Sequence, residues 1–246
     1  MKEVKSMTIT VVYDNNAYDP WLQTAWGFAC LVERGDTKIL FDTGGDGGVL
    51  LSNMDSLGFD PADLDVVLLS HIHRDHTGGL GSLLATRNRP LVYLPGSFLA
   101  DYKAQIRAQT DLVEVDQAVE IIDGVYTTGE MGSGIIEQAL ILKTTEGLVV
   151  VTGCAHPGIV EMVRRAKAVG GAELYLVLGG FHLGNVSEVQ VEEIISDFRR
   201  LGVQNVAPCH CTGHQAIDLF HRAYGDNFVQ SGAGKVLVFD GQDSGE

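Results

Sequence analysis

Residues 70 to 76 of this chain read Ser70-His71-Ile72-His73-Arg74-Asp75-His76, which places three imidazoles and a carboxylate within six positions. In an ordinary core such a run would leave polar groups desolvated and unpaired. A borderline cation such as Zn²⁺, by contrast, takes nitrogen and oxygen ligands at about 2.0 to 2.2 Å. The nearly continuous apolar run at 64–69 ends where the histidines begin, and Thr77-Gly78-Gly79 follows them. Buried strands carry such runs, and ligands gather where these strands end. The segment is therefore read as a metal site and not as a solvated polar loop.

The composition limits what such a site can serve. The chain has 246 residues, 45% apolar and 20% charged, which suits a globular protein with a sizeable core. Its net charge of −15 opposes a phosphate backbone within a Debye length of about 8 Å. The densest cationic stretch, Arg164-Arg165-Ala166-Lys167, reads as the outer face of a helix, so no nucleic-acid partner is expected. Residues 1–5 are charged and 7–12 alternate over too short a span for a secretory leader, and no window reaches the ~18 apolar residues of a membrane span. A cytoplasmic protein without a membrane partner is expected. Its four cysteines, Cys30, Cys154, Cys209 and Cys211, are expected as reduced thiols. The apolar fraction leaves room for a homo-oligomer interface without requiring one.

The pattern of elements must place the histidines. Strands are expected at 8–13, 27–33 and 38–41, the last two joined by a tight turn at Arg34-Gly35-Asp36-Thr37. A helix is expected at 49–57, a buried strand at 64–69, a helix at 80–86, a strand at 91–94, a helix at 98–107 and two short strands within 112–122. The second half repeats this order: a hairpin at 138–143 and 148–151, a helix at 160–168, a strand at 174–178, a helix at 191–201 and a strand at 203–207. Thr43-Gly44 and Thr152-Gly153, like His73 and His182, are separated by a common offset of 109 residues. This suggests one domain over 1–246 made of two related halves, about 1–125 and 126–246. Two sheets flanked by helices follow, with His73 and His182 facing a shared seam.

Four motifs now stand in order: Phe41-Asp42-Thr43-Gly44, the run His71-x-His73-x-Asp75-His76, Gly153-Cys154-Ala155-His156, and Pro208-Cys209-His210-Cys211-Thr212-Gly213. Over nearly its whole length the chain resembles the metallo-β-lactamase-fold hydrolases. The resemblance implies an α/β fold, a four-layer αββα sandwich of two mixed β-sheets, with one or two metal ions, usually zinc, where the sheets end. It implies His71, His73 and His156 around a first metal and Asp75, His76 and His210 around a second, with Mg²⁺, Mn²⁺ or Fe²⁺ as alternatives to zinc. Zinc held by three neutral imidazoles keeps an open position and lowers the pKa of bound water to about 7. Asp75 then acts as base or second ligand. Asp42 either accepts a hydrogen bond from a ligand imidazole, fixing its tautomer, or caps the following turn.

One departure stands out. The family usually supplies a bridging aspartate after the strand expected at 174–178, whereas this chain continues Gly179-Gly180-Phe181-His182 and has no acid until Glu188. His182 either replaces that bridge as a ligand, contacts substrate, or is a satisfied histidine beside the cleft. Strand alternation turns Cys209 and Cys211 away from the direction of His210, so these thiols, and Cys154 likewise, are expected to pack beside the site and not to ligate. His214 and His221 are expected on the surface.

A finer resemblance rests on Tyr13-Asp14-Asn15-Asn16, Trp26-Gly27-Phe28, Asn53, Gly179-Gly180-Phe181-His182-Leu183 and His210-Cys211-Thr212-Gly213. These are similar to the 7,8-dihydropterin-6-yl-methyl-4-(β-D-ribofuranosyl)aminobenzene 5'-phosphate synthases of methanopterin biosynthesis. The run Gly44-Gly45-Asp46-Gly47-Gly48 either makes room near the metal or offers backbone N–H groups to a phosphate. Three functions stay open. The first is a hydrolase in which metal-bound hydroxide attacks an ester, amide or phosphoester of a small molecule. The second is a synthase or transferase on a pterin-like phosphorylated substrate, with Trp21, Trp26 and Phe181 as stacking candidates or plain packing. The third is a non-catalytic metal or ligand sensor. Specificity is expected in segments 15–26, 96–110 and 129–136.

Overall fold

The structure is a computed structural model that describes residues 6–86 and 89–239. The first half contributes β1 (Met7–Asp14), β2 (Phe28–Arg34), β3 (Thr37–Phe41), α1 (Gly47–Ser56), β4 (Val66–Leu68), α2 (Arg74–Thr77), α3 (Leu80–Leu84), β5 (Leu91–Pro95), α4 (Ala100–Arg107) and β6 (Leu112–Val115). There follow β7 (Gln117–Ile122), β8 (Val125–Gly129), β9 (Leu140–Lys143), β10 (Leu148–Thr152), α5 (Ile159–Gly170), β11 (Leu174–Gly180), α6 (Glu188–Leu201), β12 (Asn205–Cys209), α7 (His214–Tyr224) and β13 (Val236–Phe239).

These strands form a seven-stranded sheet in the order β13-β1-β2-β3-β4-β5-β6 and a six-stranded sheet in the order β12-β11-β10-β9-β8-β7. Both are mixed for the same reason. Tight turns join antiparallel neighbours such as β2–β3 and β9–β10, while crossovers through helices join the parallel pairs β3–β4, β4–β5, β10–β11 and β11–β12. The hairpin, helix and parallel strand of β2-β3-α1-β4 recur in the same order in β9-β10-α5-β11.

Side-chain alternation sorts the core into layers. Phe28, Cys30, Phe41 and Leu68 point from the first sheet into a shared interior with Leu140, Val149, Val151, Leu176 and Leu178 of the second. The opposite faces are covered by helices: Leu50, Leu80 and Leu83 pack on Leu40, Val67 and Val92, while Met162, Ile195, Phe198 and Phe220 pack on Val150 and Val177. Strands covered on both faces read as unbroken apolar runs, as the sequence shows at 148–151 and 174–178. The result is the expected four-layer αββα sandwich.

Two details differ from expectation. The two short strands within 112–122 exist as β6 and β7, but they lie in different sheets, and the chain crosses between them at Asp116. Strands β8 and β13 have no counterpart in the pattern reading: three of the five residues of β8 are threonine or tyrosine, and β13 is a four-residue edge strand, too short to show a period. No helix among the described residues is long and apolar enough to cross a membrane.

Buried Asn53 on α1 ties this framework to the loop beside the site. Its Nδ2 donates to the carbonyls of Val12 (2.9 Å) and Gln23 (2.8 Å), and its Oδ1 accepts from Gln23 N–H (2.9 Å). Asn53→Ala leaves these groups short of partners, so a loss of about 2 to 3 kcal/mol is expected. Urea denaturation should show a lower midpoint with an unchanged slope; an unchanged midpoint would contradict the assignment.

Candidate metal centre

The site forms where the carboxyl ends of β3 and β4 meet those of β10, β11 and β12. Asp42, the residue after β3, is fully buried and takes up a left-handed backbone (φ 60°) that turns its carboxylate toward the end of β4. There it accepts from Ser70 N–H (2.7 Å), Ser70 Oγ–H (2.7 Å) and His76 Nδ1–H (2.7 Å). Asp42 thus holds a candidate ligand imidazole, as the first of its two readings requires, and caps no turn.

This network settles which ring nitrogens face inward. Because Ser70 Oγ gives its hydrogen to Asp42, His71 Nδ1 must donate to Ser70 Oγ (2.9 Å), leaving His71 Nε2 as an acceptor. His76 presents Nε2 for the same reason. His210 Nδ1 donates to Asn15 Oδ1 (2.8 Å) and Asn15 Nδ2 donates back to the His210 carbonyl (3.2 Å), so His210 also turns Nε2 inward. Acceptors behind each ring fixing the tautomer in this way are typical of metal-binding histidines.

The inward atoms converge. The rings of His71, His73 and His156 sit with centroids 4.8 Å apart in every pairing, and His71 Nε2 lies 3.1 Å from His73 Nδ1. His156 Nε2 is buried without a hydrogen-bond partner, a costly state for a polar atom unless a cation takes its lone pair. On the other side His76 Nε2 and His210 Nε2 are 3.2 Å apart, and Asp75 Oδ2 lies 3.6 Å and 3.3 Å from them. The structure therefore brings together all six residues that the resemblance implied, in the two groups of three. Such donors fit a divalent ion in each group.

Cys154 packs beside the site as expected, whereas Cys211 departs from the direction that alternation gives it. Ligand atoms of Asp75, His76, Cys154 and His210 lie within 4.8 Å of one another; so do those of His71, Cys154 and His156, and those of Cys154, His182 and Cys211. The alternation argument fails because the strand ends before it applies: His210 adopts φ 49° and opens a tight helical turn, so Cys211 swings toward the site while Cys209 stays in the core between the sheets. His182, also left-handed (φ 55°), is exposed at the rim, its ring 4.3 Å from that of His156. It belongs to the group with the two thiols and to neither of the two histidine groups.

Glu137 is a further site residue, one that the sequence reading missed. Fully buried ahead of β9, it accepts from the backbone N–H groups of Cys154, Ala155 and His156, each at 2.9 Å. This clamps the loop that presents Cys154 and His156, with Ala155 in the left-handed region (φ 62°). An acid next to the Gly-rich 129–136 segment was the available signal. Glycine has a steric role at Gly27, where a Cβ would come within 2.4 Å of the Asp75 carbonyl. Asp46 caps α1 by accepting from Gly48 and Val49 N–H, so its carboxylate occupies the groups that the phosphate reading of 44–48 would use. His214 is exposed on α7, and His221 is exposed against Phe228.

The electrostatics follow the geometry. Burial would lower the His76 imidazolium, but Asp42 and Asp75 outweigh it and push its pKa up to about 10. Burial and the neighbouring imidazoles drive His71 far below its usual range, and burial and His182 lower His156 to about 4. Burial would raise Asp75, but hydrogen bonds from His210 and His76 prevail and hold it well below the usual carboxylate range.

Comparison with known proteins agrees with this architecture. The metallo-β-lactamase superfamily profile matches residues 27–132. The solved structure of Tm1679, described as a metal-dependent hydrolase of the β-lactamase superfamily, is 30% identical, with a TM-score of 0.79 over 94% of this chain and 98% of that one. The chain belongs to the metallo-β-lactamase superfamily. The metallo-β-lactamase fold protein YhfI from Bacillus subtilis shares the fold, aligning with a TM-score of 0.71 at 17% identity, over 95% of this chain and 99% of that one. The 7,8-dihydropterin-6-methyl-4-(β-D-ribofuranosyl)-aminobenzene-5'-phosphate synthase of Methanocaldococcus jannaschii is 27% identical over 96% of this chain and 97% of its own length.

The raised His76 yields a pH prediction. A folded pKa of about 10, above the ordinary 6.5, means that the proton stabilises the metal-free fold below about pH 6.5 and that this contribution is lost as pH rises through about 10. A metal ion at Nε2 must displace that proton, so affinity at the Asp75–His76–His210 position should rise about tenfold per pH unit below this range. Calorimetry near neutral pH in buffers of different ionisation enthalpy should detect a released proton; release of none would contradict it.

Proposed function

We propose that the protein is a metal-dependent hydrolase of a small-molecule ester, amide or phosphoester, with zinc as the metal. The observation that carries this reading is the pair of facing donor groups, His71–His73–His156 and Asp75–His76–His210, set around a partly exposed carboxylate. Imidazole-rich donors suit zinc or iron better than magnesium. Bound there, the metal supplies an electrophile for a substrate oxygen and makes water acidic enough to deprotonate near neutral pH.

The chain's own residues supply the rest. Asp75, held as a carboxylate by His210 and His76, can only accept, so it orients a nucleophilic water by accepting a hydrogen bond from it. Asp42 acts through His76 and positions it. His182, at the rim and raised in pKa by its hydrogen bond to Cys211, is placed to give a proton to the leaving group. Similarity to Tm1679 supports the hydrolase reading, and the near-complete donor set tells against a degraded sensor.

A second reading, a synthase on a pterin-like phosphorylated substrate, is favoured by one feature. Trp26 is 61% exposed with its ring 5.0 Å from that of His210, so a heteroaromatic substrate could stack beside the metal position. Similarity to the M. jannaschii synthase points the same way. Trp21 is exposed as well, whereas Phe181 is packed against Phe198 and Phe220 and is unavailable.

The readings separate in one assay series with zinc-loaded protein. Cleavage of phosphodiester, ester or lactone substrates without a second organic substrate supports the hydrolase, whereas turnover only when a dihydropterin and a phosphorylated co-substrate are both present supports the synthase. Asp75→Asn should retain metal at the three-histidine group and lower kcat about a hundredfold or more. His71→Ala should lose that metal and the activity while keeping a native circular dichroism spectrum, because the site lies at the sheet ends and outside the core; global unfolding would contradict this separation.

A further inference from the structure

The end of β11 lacks the carboxylate that would join two metal positions, and the structure shows why none fits. A Cβ on Gly180 would lie 2.4 Å from the Gly153 carbonyl and 2.6 Å from Cys211 Sγ, so the space a side chain needs is already filled. Gly179 adopts φ 118°, which a side-chain-bearing residue rarely accepts. Glu137 is a buried acid beside the site, but it accepts from three backbone N–H groups through both of its oxygens. His182 reaches only the group formed with Cys154 and Cys211.

We propose that Cys154 Sγ is the shared ligand of the two metal positions, a bridging thiolate in place of the absent carboxylate. The inference rests on the two-metal reading of the site and names the residue that links its halves. Cys154 is the one residue common to all three donor groups among the described residues: it stands with His71 and His156 on one side and with Asp75, His76 and His210 on the other. Its Sγ lies 3.2 Å from His76 Nε2. Two ligands of one tetrahedral zinc, at about 2.3 Å for sulfur and about 2.0 Å for nitrogen, are separated by about 3.5 Å.

With Cys154 added, the first position has three imidazoles and a thiolate, and the second has two imidazoles, a carboxylate and the same thiolate. The side chain is 3% exposed and its loop is clamped by Glu137, so the sulfur is fixed in place before any ion arrives. Coordination requires loss of the thiol proton, which a divalent ion within bonding distance enforces. Cys211, whose Sγ rests 3.7 Å from the Cys154 carbonyl, lies within reach of that sulfur. It stands with His182 in the third donor group and outside the other two.

The test uses the full reduced chain titrated with Co²⁺ and analysed for metal content. Wild type and Cys211→Ala should each bind two ions and develop a near-ultraviolet sulfur-to-cobalt charge-transfer band. Cys154→Ala and Cys154→Ser should lack the band and bind the second ion about a hundredfold more weakly. A band that survives in Cys154→Ala, or two tightly bound ions in wild type without a band, would overturn the proposal. A wild type that binds no metal would instead sink the two-metal reading. Cadmium NMR on the wild type needs no variant: both resonances should show the deshielding of sulfur ligation, and a single deshielded resonance would show that the sulfur is not shared.

Discussion

The buried carboxylate of Asp42 is the constraint on which the site depends. It has no solvent to satisfy it, so it must collect donors from the next strand end, and it does so through Ser70 and His76. Ser70 in turn accepts from His71, so one carboxylate sets the tautomer of a histidine in each metal group. An acid left unpaired at this depth would cost several kcal/mol. The orientation of the imidazoles is therefore part of how the core satisfies its own polar groups, and it is enforced whether or not a ligand is present.

A second regularity lies in the backbone. Among the described residues the non-glycine positions with positive φ are Asp42, Ala155, His182 and His210, and all four sit in the loops around the site. Each costs on the order of 1 kcal/mol or more and persists only where its surroundings leave no alternative. Here the surroundings are the two sheets, whose β3, β10, β11 and β12 end at the same level. The rigid sandwich holds the strained loops, and these loops turn ligands inward that simple strand alternation would point elsewhere.

Much of this was legible in the sequence. The four layers could be read because strands covered on both faces form unbroken apolar runs and the helices between them carry a separate period. His71, His73, Asp75 and His76 stood out because histidine and aspartate at a strand end have few structural uses, whereas His156 and His210 were joined to them only by the family resemblance. Glu137 and the inward turn of Cys211 were not legible, because both depend on contacts between segments distant in the chain and on a left-handed residue that breaks the expected alternation. Asn15 was visible as part of a family pattern but not as the partner of His210. The edge strand β13 and the threonine-rich β8 escaped because short or polar strands carry no period.

The hydrogen bond between His210 and Asn15 spans 195 residues of chain. Closing so long a loop carries an entropy cost that the contacts between the sheets must offset. His210 can take its inward orientation only after β12 has joined the second sheet and that sheet has docked on the first. A partly folded chain thus holds the histidine run of residues 71 to 76 without its counterpart, and metal affinity becomes a measure of completed docking. An ion held by both sheets would have no equivalent site in the unfolded chain, so its binding would stabilise the folded interface between them.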